Sequence, residues 1–434
     1  MAGDFAYRTL GQVAAIQTGP FGSQLHAQDY KKVGVPVVMP TNIVDRRIDS
    51  SAIAKVSQTD ADRLSRHKLQ IGDVVFSRRG EIDKCALVTE ENEGWLCGTG
   101  CLLARVDKAR SLPRYLAFHI SSPETREWLQ AHAVGLVMPN LNTGILERLP
   151  LRLPPIHQQE TIADLLGSLD DKIELNRRMA ETLEAMGRAL FKNWFVDFGP
   201  VHAKAEGRAT GLSNDLAALF PGSFGDDGLP DGWSRTPLLD HARLISGGTP
   251  KTSEPTYWDG DLLWASAKDV SQCPDRFLIT TERTITQSGL EESATRLVSK
   301  FATVVVARGA TTGRHCLFGR EMAMNQTCYA LQSVGGAPFW LACTFTYLVD
   351  ELVRGAHGSV FNTITTTTLN TARVTTASPE VVLAFEDTVR PIYLRMLSVI
   401  EQNSSIKALR DTLLPKLISG ELRITDAEAQ VSAA

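Results

Sequence analysis

No stretch of this sequence is apolar for long enough to cross a membrane. The most apolar run, Phe339 to Val349, falls far short of the roughly 20 residues a spanning helix needs, and the opening MAGDFAYRTLG lacks the basic-then-apolar pattern of a secretory signal. A cytoplasmic protein without membrane contact is the expectation. The seven cysteines show no repeated spacing, and Cys97 with Cys101 has no second pair to complete a zinc site, so neither a disulfide framework nor a structural metal is expected. Positive charge is not in excess either. With 45 Lys and Arg against 49 Asp and Glu, the net charge of −4 excludes binding nucleic acid by global charge alone, though not through local basic faces.

Catalytic signatures are missing as well. There is no GxGxxG after a strand, no HExxH, no GxSxG and no (N/D)PP(Y/F) of the kind amino-methyltransferases use. The segment SGGTPKT has the glycines of a phosphate loop, but the spacing from glycine to lysine is wrong and Pro250 removes a backbone N–H just before Lys251. His26, His119 and His157 stand alone and read as satisfied surface or core residues. The pair Asp170-Asp171 lies within a helical pattern and reads as an exposed face or a partner contact rather than as acid–base machinery. The expectation is a protein that is not an enzyme, with no catalytic residue, no metal and no cofactor of its own.

What is present is repetition. With 434 residues, 43% apolar and 22% charged, the chain has the composition of a folded protein of two or three domains. GQVAAIQTGPFGS around Ile16 and Gly19 resembles LDHARLISGGTPKT around Ile245 and Gly248, at a spacing of 229 residues. KLQIGDVVFSRRG resembles VSKFATVVVARG, pairing Arg79-Gly80 with Arg308-Gly309 at the same spacing. HAVG ending at Gly135 resembles GAHG ending at Gly358, at 223. Each half then closes in a long helical stripe. Ile162, Leu165, Leu169, Ile173, Met179, Leu183, Met186, Leu190 and Trp194 recur by threes and fours, with Asn176 in the open slot. Phe385, Val389, Ile392, Met396, Val399, Ile406, Leu409 and Leu413 repeat the stripe, with Asn403 in the equivalent slot. A lone helix of this length would leave its apolar stripe wet, so the two are expected to cover each other as an antiparallel coiled coil, with Asn176 and Asn403 fixing its register.

The expected fold class is α/β (α+β): two similar globular domains with mixed β-sheets, separated by two long antiparallel helices forming a coiled coil, with an internal pseudo-twofold repeat. Punctuation sets the boundaries. Residues 1–153 form the first globular domain, 154–198 the first long helix after Pro154-Pro155, and 199–232 a linker rich in Pro, Gly and Asp. Residues 233–377 form the second globular domain, 378–420 the second long helix with Ser378 and Pro379 as N-cap and first residue, and 421–434 a C-terminal tail. Pro391 inside the second pattern is expected to kink that helix or to mark its true start.

Two similar heads suit a polymeric target with two separated features, and double-stranded DNA is such a target. Arg and Lys can read guanine edges, Asn and Gln adenine, while Ser, Thr and glycine turns let backbone N–H groups approach phosphates. The loops supply these types: Gly19, Phe21, Gly22, Ser23, Gln24, Asn42, Arg78, Arg79 and Lys84 in the first half, and Gly248, Thr249, Lys251, Lys268, Arg308, Thr311, Thr312 and Arg314 in the second. The reading from another class is a coiled-coil adaptor or scaffold that organises proteins without reading DNA sequence.

Four segments carry a resemblance to a known family: TGPFGSQLHAQDYKKVGVPVVMPTNI at Thr18 to Ile43, LPLRLPPIHQQETIADLLGSLDDKIELNRRMAETLE at Leu149 to Glu184, SGGTPKTSEPTYWDGDLLWASAKDV at Ser246 to Val270, and LRDTLLPKLISGEL at Leu409 to Leu422. They resemble the specificity subunits of type I restriction-modification systems over nearly the whole chain. The resemblance implies a non-catalytic subunit whose two globular domains are target-recognition domains, each reading one half of a bipartite DNA sequence. It also implies that the helices dock two methyltransferase subunits, which hold S-adenosylmethionine and methylate adenine, and that the assembly recruits restriction subunits that translocate with ATP. One departure stands out. TITTTTLNTARVTTASPE lacks the double proline and Gln-rich helix start found at Pro154 to Glu160, which leaves the second junction between head and helix unlike the first.

Overall fold

The structure is a computed structural model and describes residues 5–135, 139–356 and 363–432. Two compact units make up the chain: residues 1–173 with 405–434, and residues 174–404. The division falls inside both long helices, Ile156–Phe191 and Pro379–Ser419.

In the first unit, the β-branched and apolar runs VVFS and CLLARV make adjacent antiparallel strands, Val74–Ser77 and Cys101–Val106. Ala14–Thr18 flanks them on one side and Cys85–Leu87 on the other. Both faces of this sheet are covered, which is why its strands read as continuous apolar runs. Val74, Phe76 and Leu102 point to a core that includes Tyr115, Leu116, Ile162, Leu166, Leu413 and Leu417. Val75 and Leu103 point the other way, to Val38 and Cys97. A second, mixed sheet supplies that layer, with Leu96–Cys97 parallel to Val35–Val38 and the latter antiparallel to Ala54–Val56. Ala6–Thr9 pairs with Pro150–Leu153, which leads through Pro154-Pro155 into the first long helix.

The second unit repeats this plan. Ala242–Ser246, Cys328–Ser333, Thr303–Val306 and His315–Phe318 take the same order, and Trp258–Ala265 runs parallel to Ala323–Met324 as the counterpart of the first unit's parallel pair. Register fixes which residues correspond. Gln17 and Val75 both face Leu103, while Ile245 and Val304 both face Ala330. Gln17, not Ile16, therefore matches Ile245, and the true counterpart of Gly19 is Gly247 rather than Gly248. Two adjacent glycines offer two alignments in sequence, and only the ladder chooses, because a one-residue slip turns every side chain to the other face. The spacing of 229 between Arg79 and Arg308 stands: Arg79 bridges Asn140 and Arg308 bridges Thr363. Gly358, matched to Gly135 in the sequence, lies outside the described residues.

Both long helices form from the expected stripes. Ser378 caps the second, its hydroxyl accepting from Val381 N at 3.4 Å and its carbonyl from Val382 N at 3.1 Å. Pro391 does not mark the start: the helix begins at Pro379 and runs through it, with Pro391 on the exposed side, where water can take the Asp387 carbonyl that proline leaves without a donor. The helices pair antiparallel within each unit. In the first, Ile162, Leu166 and Leu169 share a core with Leu413, Leu417 and Ile418 while Asp170 faces Arg410. In the second, Asn176 faces Gln402 and Phe191 packs on Phe385. Asn176 is wholly buried and donates to Gln402 Oε1 at 2.8 Å, so its partner is the residue before Asn403. Met186 leaves the seam and is 48% exposed; buried Gly187 sits against the Tyr393 ring instead, since a 3.6-residue turn drifts from a strict heptad.

The 199–232 stretch is more than a linker. It holds helices Gly199–Ala205 and Asn214–Ala218, and buries Val201 and Phe220 with Trp194, Phe195, Trp233 and Phe385. Trp194 meets Phe220 edge-on at 5.1 Å, and each such ring contributes about 1.5–3 kcal/mol by leaving water. The α-helix itself stops at Phe191 and passes into a π turn over Lys192–Val196.

A buried polar side chain on each long helix receives the N-terminus of a helix in its own head. Gln159 Oε1 accepts from Leu112 N at 3.0 Å, just ahead of helix Pro113–Ile120. Glu386 Oε2 accepts from Phe339 N at 2.9 Å and Trp340 N at 3.0 Å at the start of helix Pro338–Ala356. Gln159 and Glu386 are 227 residues apart, as are Asn176 and Asn403, but the preceding strands, ending at Leu153 and Thr376, are only 223 apart. Four residues are about one helical turn, so the unlike second junction is an inserted turn ahead of the same receiver.

Glu386 is 1% exposed, and burial pushes its carboxyl up to about 7 against the backbone N–H groups and Arg390, which favour the charged form; Asp387 pushes it up further. The folded state therefore holds a proton that the unfolded chain releases near pH 4.5, so this stabilisation is full below that pH and is lost as pH rises through about 7. In Glu386→Gln, the decline in urea midpoint between about pH 5 and 7.5, followed by tryptophan fluorescence, should flatten. An unchanged decline would remove Glu386 as its source.

Candidate nucleic-acid interface

In each unit the loops singled out in the sequence meet at one end of the main sheet. Strand 14–18 ends where Gly19 N donates to Cys101 O at 2.9 Å. A Cβ at Gly19 would collide with the Gly98 carbonyl, so only glycine lets the loop pass this close. The following turn is locked by Gln24, whose N donates to Phe21 O at 2.8 Å and whose Oε1 accepts from Phe21 N at 3.1 Å. Phe21, Gly22 and Ser23 are thereby held exposed, Phe21 at 56%.

Strand 74–77 ends beside them. Arg78 N donates to Gly100 O at 2.8 Å, and Arg78 O accepts from Leu141 N at 2.9 Å. The Arg78 guanidinium is half-buried and its Nε donates to Asn140 Oδ1 at 3.3 Å. Arg79 is exposed, followed by Gly80 at φ +76°. Lys84 closes the turn, its carbonyl accepting from Ser77 N at 3.0 Å and its ammonium pairing with Glu81 at 2.5 Å. Asn42 is not offered to a ligand. It is 6% exposed and spent on its own turn, accepting from Met39 N at 2.9 Å and donating to Asp49 O at 3.2 Å. This is the returning half of a capping box, the third residue's side chain accepting from the N-cap N–H, with Met39 supplying no oxygen to complete it.

The second unit builds the same frame. Gly247 N donates to Cys328 O at 3.3 Å, and Gly248 is buried, its N donating to Met324 O at 2.9 Å and its O accepting from Trp264 Nε1 at 3.1 Å. Gly248 is therefore a packing position rather than an exposed turn. Thr249 hydrogen-bonds Gln326, and Lys251 is exposed. Ala307 N donates to Thr327 O at 2.8 Å and Ala307 O accepts from Ile364 N at 2.9 Å, which places Ala307 where the first unit has Arg78. Arg308 is exposed before Gly309 at φ +101°. Thr312 donates to Gly309 O at 2.7 Å, Thr311 O accepts from Arg314 N at 3.1 Å, and Arg314 is exposed. Lys268, in the first turn of helix Ala267–Gln272, pairs with Glu282 at 2.7 Å. Its helix starts with the capping box Ser266/Asp269, the counterpart of Met39/Asn42 at a spacing of 227, so Lys268 corresponds to Thr41.

The structure thus gathers Gly19 to Gln24, Arg78, Arg79 and Lys84 in one unit and Thr249, Arg308 and Arg314 in the other, and withdraws Asn42 and Gly248 into the fold. The sequence reading missed Asn140, which orients Arg78 and bridges Arg79; the Asn-rich PNLNT around it was the available signal. His119 is 4% exposed, pushed down to about 4 by burial, and tied to Arg152 N at 2.9 Å. Among the described residues no group of three His, Cys, Asp or Glu could hold a metal ion, and no helix is long and apolar enough to cross a membrane. Asp170 corrects its sequence reading: its side chain is 13% exposed and held between Arg46 at 2.7 Å and Arg410 at 2.8 Å.

Residues 3–185 match the family model of the type I restriction modification DNA specificity domain. The HindI type I restriction enzyme specificity subunit of Haemophilus influenzae is 25% identical over 406 residues, covering 81% of this chain and 86% of that protein. The MjaIX specificity subunit of Methanocaldococcus jannaschii is 21% identical over 332 residues, covering 74% of this chain and 72% of that protein. Among solved structures, the type I restriction-modification S subunit from M. genitalium aligns over 96% of both chains with a TM-score of 0.58 at 14% identity, a likeness of fold.

Proposed function

From the premise that this chain belongs, through residues 3–185, to the type I restriction-modification DNA specificity family, we propose that it reads a bipartite DNA target with one head per half-site and docks methyltransferase subunits through its long helices. The heads are residues 1–153 and 233–377, and the chain itself is non-catalytic. Helices 154–198 and 378–420 join them, with 199–232 as the connecting segment and 421–434 as the tail.

One observation carries this reading. The same ladder registers recur in both units, so each presents an equivalent pair of loops at the end of an equivalent sheet. One head would suffice to hold a single site; two heads built alike suit two separated features of one polymer, where the second contact is effectively intramolecular. Because the chain carries a net charge of −4, tight binding calls for the basic surface of a partner as well.

The test is to co-purify the chain with its methyltransferase and map modified adenines by single-molecule sequencing. A bipartite motif with a fixed gap, one half of which changes when residues 1–153 or 233–377 are exchanged for those of a relative, is the expected result. An active complex that marks no such motif would leave an adaptor without sequence reading as the better description.

A further inference from the structure

Equivalent positions in the two heads divide into those that share a chemistry and those that do not. Arg79 and Arg308 share one. Both are exposed, both lie two residues past the end of the same strand, both form an isolated bridge to a residue distant in sequence, Asn140 or Thr363, and both precede a glycine of positive φ. Lys84 and Arg314 share another, since Ser77 N donates to Lys84 O as Val306 N donates to Arg314 O. Each head therefore carries a cation on either side of the same hairpin turn. Arg78 and Ala307 are matched in backbone bonding yet opposite in chemistry.

Heads that read different half-sites cannot tell them apart with groups they hold in common. The phosphate backbone, by contrast, is the same in every half-site, and phosphate contacts position a protein without reading sequence. Among the described residues neither Arg79 nor Arg308 has an ion-pair partner, so their charge is available. Arg78 differs in kind: Asn140 holds its guanidinium in one orientation, as bidentate reading of a guanine edge requires.

We propose that the hairpin turn is a phosphate clamp common to both heads, acting through Arg79 and Arg308, and that Arg78 is a specificity-determining residue of the first head alone. The proposal rests on the sequence-reading function above and assigns its parts.

The experiment uses the full chain with its methyltransferase, titrated against the mapped target and a scrambled duplex at several salt concentrations. Arg79→Ala and Arg308→Ala should each weaken both duplexes by the same factor, about 3–10-fold, and lower the slope of log K against log salt by about 0.9. Arg79→Lys and Arg308→Lys should recover binding to within about twofold, because a phosphate accepts either cation. Arg78→Ala should weaken the target about 5–100-fold and spare the scrambled duplex, and Arg78→Lys should not recover it. The clamp is overturned if Arg79→Ala or Arg308→Ala changes the preferred sequence, or if lysine fails to recover binding. The role of Arg78 is overturned by equal losses on both duplexes. A wild-type complex that binds both duplexes alike overturns the sequence-reading function itself.

Discussion

Asp170→Ala should destabilise the first unit by about 3–5 kcal/mol, because it removes the carboxylate that lies between two buried guanidiniums. Arg46 and Arg410 side chains are 9% and 6% exposed, and Asp170 meets Arg46 through both Nε, at 3.2 Å, and the terminal nitrogen, at 2.7 and 2.8 Å. Without Asp170, Arg46 loses its carboxylate and Arg410 keeps only Asp411, at 2.8 Å, so two like charges stay close together with one counter-charge between them. The effect reaches the hairpin that carries Arg46. Its strands, Ile43–Val44 and Arg47–Ile48, are joined by Asp45 and Arg46 at φ +46° and +64°, a turn of the kind that favours Asn-Gly. Neither residue is glycine, so the turn leans on its docking: Arg46 on Asp170, Asp45 on Lys407 at 3.3 Å and Arg47 on Asp171 at 3.1 Å. Asp171→Ala is the control. Its side chain is 63% exposed, and its pairs with Arg47 and Arg114 should be worth less than about 1 kcal/mol. Urea unfolding of the two variants compares them directly, and similar losses for both would end the argument from burial.

Gly247→Ala, and Gly19→Ala in the other unit, should each cost about 3 kcal/mol or more. A Cβ at either position runs into a backbone carbonyl, that of Asn325 or of Gly98, and no side-chain rotation relieves a clash with backbone. The strand end and the turn it crosses would have to part, taking with them the hydrogen bonds from Gly247 to Cys328 and from Gly19 to Cys101. Gly22→Ala, where nothing lies within 4 Å of the new methyl, should stay within about 0.5 kcal/mol of the parent. Thermal melts of the three variants decide it. A Gly19→Ala protein as stable as Gly22→Ala would mean that the loop yields.

Periodicity and repetition make the architecture legible in the sequence alone. Strands that are buried on both faces, such as Thr303–Val306 with its run TVVV, announce themselves, and so do apolar stripes that run along helices of 36 and 41 residues, because both follow from chain geometry alone. What stayed hidden depends on contacts distant in sequence. Nothing local distinguishes Gly247 from Gly248 as the partner of Gly19; the ladder to Cys328 does. Asp170 and Asp171 look alike in sequence, yet one helical position apart turns one into a buried hub and leaves the other wet. At the candidate interface the residue types were readable, but not their prior engagements: Asn42 is consumed by a capping box, Lys268 by Glu282 and Lys84 by Glu81, while Arg79 and Arg308 stay exposed. A proline within a helical pattern misled for a related reason. Its cost depends on which side of the helix it occupies, and Pro391 occupies the outer one.

The receivers Gln159 and Glu386 have a consequence for exchanging heads between the two halves. A graft cut at the strand ends, Leu153 and Thr376, would carry over one turn too many or too few, displacing the transplanted head by about 6 Å along the helix and rotating it by about 40°. Its helix would then arrive with no acceptor for its first N–H groups. A cut placed beyond the receiver moves head and acceptor together. The interchangeable module therefore ends inside the long helix, at the side chain that accepts from the head, and not at the loop where the domain looks as if it stops.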